Sequence, residues 1–98
     1  MNTDNEKTPS RAIALYYDGE TAPKVSAKGE GFVAERIVEI ARAHGIPLYD
    51  DPQLAGLLAR VELGDEIPEA LYVAVARVIA FAYMVAGKFP KEYDRGGL

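Results

Sequence analysis

From Ala70 to Ala86 every residue except Arg77 is apolar, and this run limits what the chain can become more than any other stretch. An apolar segment of this length without strict alternation reads as a helix that is hydrophobic on all sides. Such a helix is buried in protein or crosses a bilayer. A spanning helix needs ~20 apolar residues. This run is shorter, rich in weakly hydrophobic alanine, and carries Arg77 near its middle, so it reads as a mostly buried helix of a soluble domain. At about 100° per residue, Leu71, Val75, Val78, Ala82 and Val85 form the expected core stripe. The opposite face carries Val73, Ala76, Ala80, Tyr83 and Met84, which would be polar if that face met water. Such a face marks either an interaction surface or further burial, by the rest of the chain or by a second copy.

A chain of 98 residues is one domain, large enough for a single core without staples. It has no cysteine, which excludes disulfides, thiolate zinc sites and a cysteine nucleophile. A cytoplasmic location is expected on that ground, since small secreted domains usually need disulfides. The polar stretch Met1 to Ser10 has no apolar core and does not read as a signal peptide. The net charge is −4, and Lys24, Lys28, Arg36, Arg42, Arg60 and Arg77 are well spaced. That pattern repels a phosphate backbone, so nucleic acid is not an expected partner.

The elements follow from punctuation and pattern. Residues 1–10 read as a flexible arm. Arg11 to Tyr17 is a strand, apolar on both faces and therefore expected at the centre of its sheet. Asp18-Gly19 is a turn, and Lys24 to Ala27 a second, weaker strand, paired antiparallel across the short loop. A helix is expected from Phe32 to Ala43 with Phe32, Val33, Ile37, Ile40 and Ala41 on its buried face. Gly45 suits the left-handed position after it. Ile46 to Tyr49 reads as a third strand, parallel to the second through a right-handed crossover. Asp50 or Asp51 caps the next helix, which runs to about Arg60 with Leu54, Leu57, Leu58 and Val61 inward. Glu62 to Glu66 is an acidic connection, Pro68 opens the last helix, and residues 89–98 form a polar tail. The expected fold is a small α/β domain over residues 11–88, with a mixed sheet of about three strands packed with three helices.

Three features look like chemistry. Gly29-Glu30-Gly31 followed by Ala34 fits G-x-G-x-x-A, and Asp50 lies where a ribose-binding acid would sit, so a small nucleotide-binding protein is one alternative. Against it, the preceding strand is too polar for a buried first strand, and Glu30 puts a carboxylate where pyrophosphate needs bare amides. His44, the sole histidine, sits at a helix end where the dipole favours it, without an orienting acid. The acids Asp50, Asp51, Glu62, Asp65, Glu66 and Glu69 lack the spacing of a calcium loop. No enzyme activity, metal or cofactor is expected.

Taken together, A-I-A-L-Y-Y-D (Ala12–Asp18), A-P-K-V-S-A-K-G (Ala22–Gly29), R-I-V-E-I-A-R-A-H-G-I-P-L (Arg36–Leu48), D-P-Q-L-A (Asp51–Ala55) and E-L-G-D-E-I-P-E-A-L-Y (Glu62–Tyr72), leading into V-A-R-V-I-A-F-A-Y (Val75–Tyr83), come in one order at one spacing. The chain resembles the C-terminal cytoplasmic domain of the FlhB/YscU family of type III secretion export-switch proteins. Members carry a self-cleaving Asn-Pro-Thr-His motif, but the aligned residues here are Lys7, Thr8, Pro9 and Ser10. Without the asparagine nucleophile the resemblance implies no self-cleavage. The transmembrane half and the strand before the motif have no counterpart here, which leaves one sheet edge open to a partner strand. Gly56 stands where an arginine is usual. The chain is similar to short, stand-alone FlhB-like proteins. The resemblance implies a cytoplasmic, non-enzymatic paralogue, peripheral at the export apparatus. Its expected partners are the export gate and the membrane-bound FlhB homologue, with a homodimeric scaffold as a further alternative. The residues expected to bind a partner are Lys28, Gly29, Val73, Arg77, Tyr83 and Met84.

Overall fold

The structure is a computed structural model that describes residues 10–87. The proposed arm and tail, and with them Lys7, Thr8 and Pro9, lie outside the described residues. Strands β1 (Arg11–Tyr16) and β2 (Lys24–Glu30) pair antiparallel, from Arg11 opposite Glu30 to Tyr16 opposite Lys24. The turn between them is held by Asp18, whose Oδ1 accepts the backbone N–H groups of Glu20 (2.8 Å) and Thr21 (2.9 Å).

The register skips Ser26, because Ala14 faces Ala27 while Leu15 faces Val25. Paired residues share a face of the sheet, and Ala14 and Leu15 lie on opposite faces. The extra residue therefore moves Val25 to the side of Leu15, where it is fully buried.

Helix α1 (Phe32–Ala43) lies against both strands. Its bounds are as the sequence predicts, but its buried face is not. Ala34 and Ala41 are buried and Ile37 and Val38 half-buried, whereas Phe32, Val33 and Ile40 are exposed. Ala34, Ile37, Val38 and Ala41 follow the i, i+3, i+4, i+7 spacing of one helical face, and the alanines at its ends let the backbone approach the sheet closely. The chain then leaves the helix through His44 and Gly45, with Gly45 left-handed at φ 69° and Ile46 N–H bonded to Ala41 O at 2.8 Å.

Residues 46–50 form no strand, which corrects the expected third strand and its parallel crossover. The place beside β2 is taken by residues 64–67. Gly64 N–H donates to Val25 O (2.7 Å), Val25 N–H to Asp65 O (3.1 Å), and Ile67 N–H to Pro23 O (2.9 Å), with an antiparallel bridge between Lys24 and Glu66. Tyr49 instead makes an edge-on ring contact with Phe81, centroids 5.1 Å apart. Among the described residues the sheet is therefore two antiparallel strands extended by a short bridge.

Helix α2 (Pro52–Leu58) starts at Asp51, whose Oδ1 accepts Leu54 N–H at 3.0 Å, with Pro52 in the first turn. A single 3₁₀ turn (Glu69–Leu71) leads into α3 (Tyr72–Ala86). The core is Leu54, Leu58, Ile67 and Val75, with Ile13, Leu15, Leu71, Ala74, Val78 and Ile79 packed around it. Strand β1 thus has Ile13 and Leu15 against α2 and α3, while α1 packs on the sheet as well. Helices pack on both its faces, yet among the described residues it lies at the edge of the sheet and not at its centre.

Candidate functional site

Helix α3 shows why an apolar sequence alone does not place a helix. Only Val75 of its residues is buried. The inner side, Leu71, Ala74, Val75, Val78 and Ile79, meets the core, but Val85 is 59% exposed, which removes it from the expected stripe. The expectation of a mostly buried helix is corrected accordingly. The stretch Glu69–Ala86 is long and apolar enough to cross a membrane by length and composition, and 6% of it is buried.

The outward side carries Val73 and Met84, each 70% exposed, with Ala76, Arg77 and Ala80 exposed between them. Tyr83 is half-buried and flanks that face. Arg77 makes no ion pair with the described residues. Residues 73, 76, 77, 80 and 84 follow i, i+3, i+4 spacing, so they form one continuous strip with a single cation inside it.

Lys28 and Gly29 are committed elsewhere in the fold. Lys28 Nζ donates to Ala59 O (3.0 Å) and Val61 O (2.7 Å), the carbonyls just past α2. A cation at the carbonyl end of a helix satisfies orphan acceptors and complements the dipole. A Cβ on Gly29 would overlap Val33 Cγ1 and lie 2.6 Å from Val33 Cβ, so this glycine serves the close approach of α1 to β2.

The same segment argues against a nucleotide cradle. Gly29 and Glu30 lie within β2. Glu30 Oε2 accepts from Arg11 Nε (3.1 Å) and Nη2 (3.0 Å), and Gly31 N–H is spent on Ser10 O (3.2 Å). Amides and carboxylate are already engaged, where a bound diphosphate needs free donors. His44 Nδ1 lies 2.9 Å from Ile40 O, and since a carbonyl can only accept, Nδ1 is the donor of a helix-end contact.

Among the described residues the outer edge of β1 is open. The Gly31–Ser10 bond makes that pair a hydrogen-bonded one, and antiparallel alternation then makes Ala12–Gly29 and Ala14–Ala27 the next two. The N–H and C=O groups of Arg11 and Ile13 consequently point away from β2, and none of them bonds to another described backbone group.

Residues 9–82 match the family described as FlhB HrpN YscU SpaS. The chain belongs to that family. It is 43% identical over 81 residues to the uncharacterized protein YlqH of Bacillus subtilis, taking in 80% of this chain and 87% of YlqH. It is 49% identical over 89 residues to the flagellar biosynthetic protein FlhB of Yersinia enterocolitica, over 88% of this chain but 22% of that protein. Among solved structures it is similar to a mutated C-terminal domain of EscU, with a TM-score of 0.70 and 36% identity, covering 76% of this chain and 94% of that one. The small mixed α/β fold with three helices is therefore that of the EscU C-terminal domain. Lys28, Gly29, Val73 and Arg77 lie inside the FlhB HrpN YscU SpaS match, and Tyr83 and Met84 just beyond it.

Proposed function

We propose that this domain is a non-enzymatic, cytoplasmic relative of the FlhB export switch that docks at the export apparatus of a flagellar or type III secretion system and modulates which substrates pass. The relation to flagellar biosynthetic FlhB supports the setting. The observation that carries the docking is the outer strip of α3: Val73, Ala76, Ala80 and Met84 are apolar, exposed and continuous. Arg77 within the strip supplies orientation, and Tyr83 extends it at one side. The export-gate proteins are the first partner. The membrane-bound FlhB homologue is the second, engaging the free edge of β1 by strand addition. Lys28 and Gly29 contribute by holding β2 against α1 and α2, and so shape the surface indirectly. With Lys7-Thr8-Pro9-Ser10 in place of a cleavable asparagine motif, the chain stays intact.

Calorimetry with the soluble parts of the host's export gate tests this reading. Binding at micromolar strength is expected. Met84→Asp or Arg77→Glu should abolish it without lowering the melting temperature, because both side chains are exposed. Loss of stability together with binding would refute a docking role for this face. The same strip also favours a second reading, a homodimer through α3, which sedimentation separates: a concentration-dependent dimer that Met84→Asp dissociates would replace the gate.

A further inference from the structure

The connection from α2 to α3 builds a surface that the α3 strip does not use. Residues 64–67 are clipped by three backbone hydrogen bonds, two to Val25 of β2 and one to Pro23 just before it, and Ile67 anchors them in the core at 3% exposure. Between this segment and the end of α2 lies an open cleft of about 450 Å³. Its apolar lining is Leu57, Val61, Pro68 and Leu71, and Leu57 is 46% exposed. Glu62, Asp65 and Glu66 line it as well, all exposed.

Charge around the cleft is net negative. Three carboxylates face one cation, Arg60, and none of the four enters an ion pair with a described residue. The Lys28 ammonium, held by Ala59 O and Val61 O, adds a second positive charge, so the cleft keeps three carboxylates against two cations. Such a lining disfavours phosphates and carboxylates and favours cations beside its apolar residues. The carboxylates do not converge as a metal site would, since no three acidic or histidine side chains among the described residues are grouped to hold an ion. The backbone that presents Asp65 and Glu66 is already ordered by the clip, so a ligand need not order it.

We infer that this cleft is a peptide-docking site, and that its ligand is a short segment of a partner protein with one apolar anchor flanked by lysine or arginine. The anchor covers Leu57, Val61 and Leu71, and the flanking cations meet Glu62, Asp65 and Glu66. The site is separate from the α3 strip and does not depend on the docking proposed there.

Three capped synthetic probes test it on the full chain: Lys-Lys-Leu-Lys-Lys, Lys-Lys-Gly-Lys-Lys and Glu-Glu-Leu-Glu-Glu. Amide shifts in ¹⁵N spectra report both affinity and place. The first probe should saturate shifts in residues 57–71 and bind at least about tenfold more tightly than either other probe. Glu62→Gln/Asp65→Asn/Glu66→Gln should weaken it about tenfold, and Leu57→Ser should bring it to the level of the glycine probe. Melting curves confirm that these exposed substitutions leave the domain folded. Equal binding of the leucine and glycine probes would reduce the effect to bulk charge attraction and overturn the proposal. Shifts confined to α3, or no binding at all, would overturn it too. The charge-neutralised variant should still bind the export gate, so failure here and failure of the α3 reading are distinguishable.

Discussion

Replacing Lys28 with methionine separates a structural lysine from a binding one. Methionine keeps a flexible apolar stem and removes only the ammonium, which reaches Ala59 O at 3.0 Å and Val61 O at 2.7 Å. Hydrogen bonds to a charged group each contribute about 1.5–3 kcal/mol net. Lys28 is half-buried, so part of that is returned when the ammonium no longer has to leave water, and the two bonds together are worth about 2 kcal/mol. In a domain of this size 1 kcal/mol moves the melting temperature by roughly 4–8 °C, so Lys28→Met should lower it by roughly 8–16 °C. Circular dichroism melts of the full chain read this directly, and urea titration should show the same loss with an unchanged slope. Lys28→Arg should fall between, since a planar fork fits two carbonyls placed for a point charge less well. A Lys28→Met melt within about 2 °C of the parent would refute the reasoning. It would mean that the ammonium spends its time in solvent and is free to meet a partner.

Other perturbations have equally definite expectations. Gly29→Ala should cost about 1–3 kcal/mol by overpacking against Val33, and Val33→Ala should return only part of it, because the Cβ atom at 2.6 Å remains; urea unfolding of the double-mutant cycle measures both. Gly56→Ala should stabilise by about 0.5–1 kcal/mol, because a Cβ there lies 3.3 Å from Arg11 Nη1, the far end of a half-exposed side chain that can give way, while the helix gains propensity; a lower melting temperature would show that Arg11 cannot move. The Asp18 carboxyl is held below its ordinary 3.8 by the backbone N–H groups of Glu20 and Thr21. Its folded value is depressed, so its contribution is present above the unfolded value and is lost as pH falls through the folded one. In an NMR titration the Glu20 and Thr21 amides should shift below about pH 4, and Asp18→Ala should abolish that dependence.

What the sequence revealed depended on the kind of signal. Local signals were dependable: Asp51 with Pro52 starts α2, Gly45 closes α1, and the short turn after Tyr17 makes a hairpin. Family order in the motifs carried the fold class further than periodicity did. The errors came where a local pattern was asked a tertiary question. Strand β1 is apolar on both faces because helices lie on both, but faces say nothing of in-plane neighbours, and β1 is an edge. Ile46–Tyr49 is apolar enough for a strand, yet Gly64–Ile67 holds the ladder position, which depends on a turn far along the chain. In α1 bulk misled: Phe32 is 87% exposed, and two alanines carry the packing. For the site, the α3 strip was legible as a face whose one polar residue is Arg77. The cleft was not, because it arises only when Leu57 and Leu71 come together, and Lys28 looked free because its partners are carbonyls more than thirty residues away.

The clip of residues 64–67 along β2 has a consequence for self-association. A sheet with two bare edges can add copies of itself at both and grow without limit. Here the β2 edge is covered from within the chain along residues 23–25, while the outward backbone groups of Lys28, and those of Arg11 and Ile13 on β1, bond to no other described backbone group. A neighbour that pairs along β1 displaces no described backbone hydrogen bond, whereas one that pairs along the whole of β2 must first displace residues 64–67, so sheet-mediated association is directed to β1.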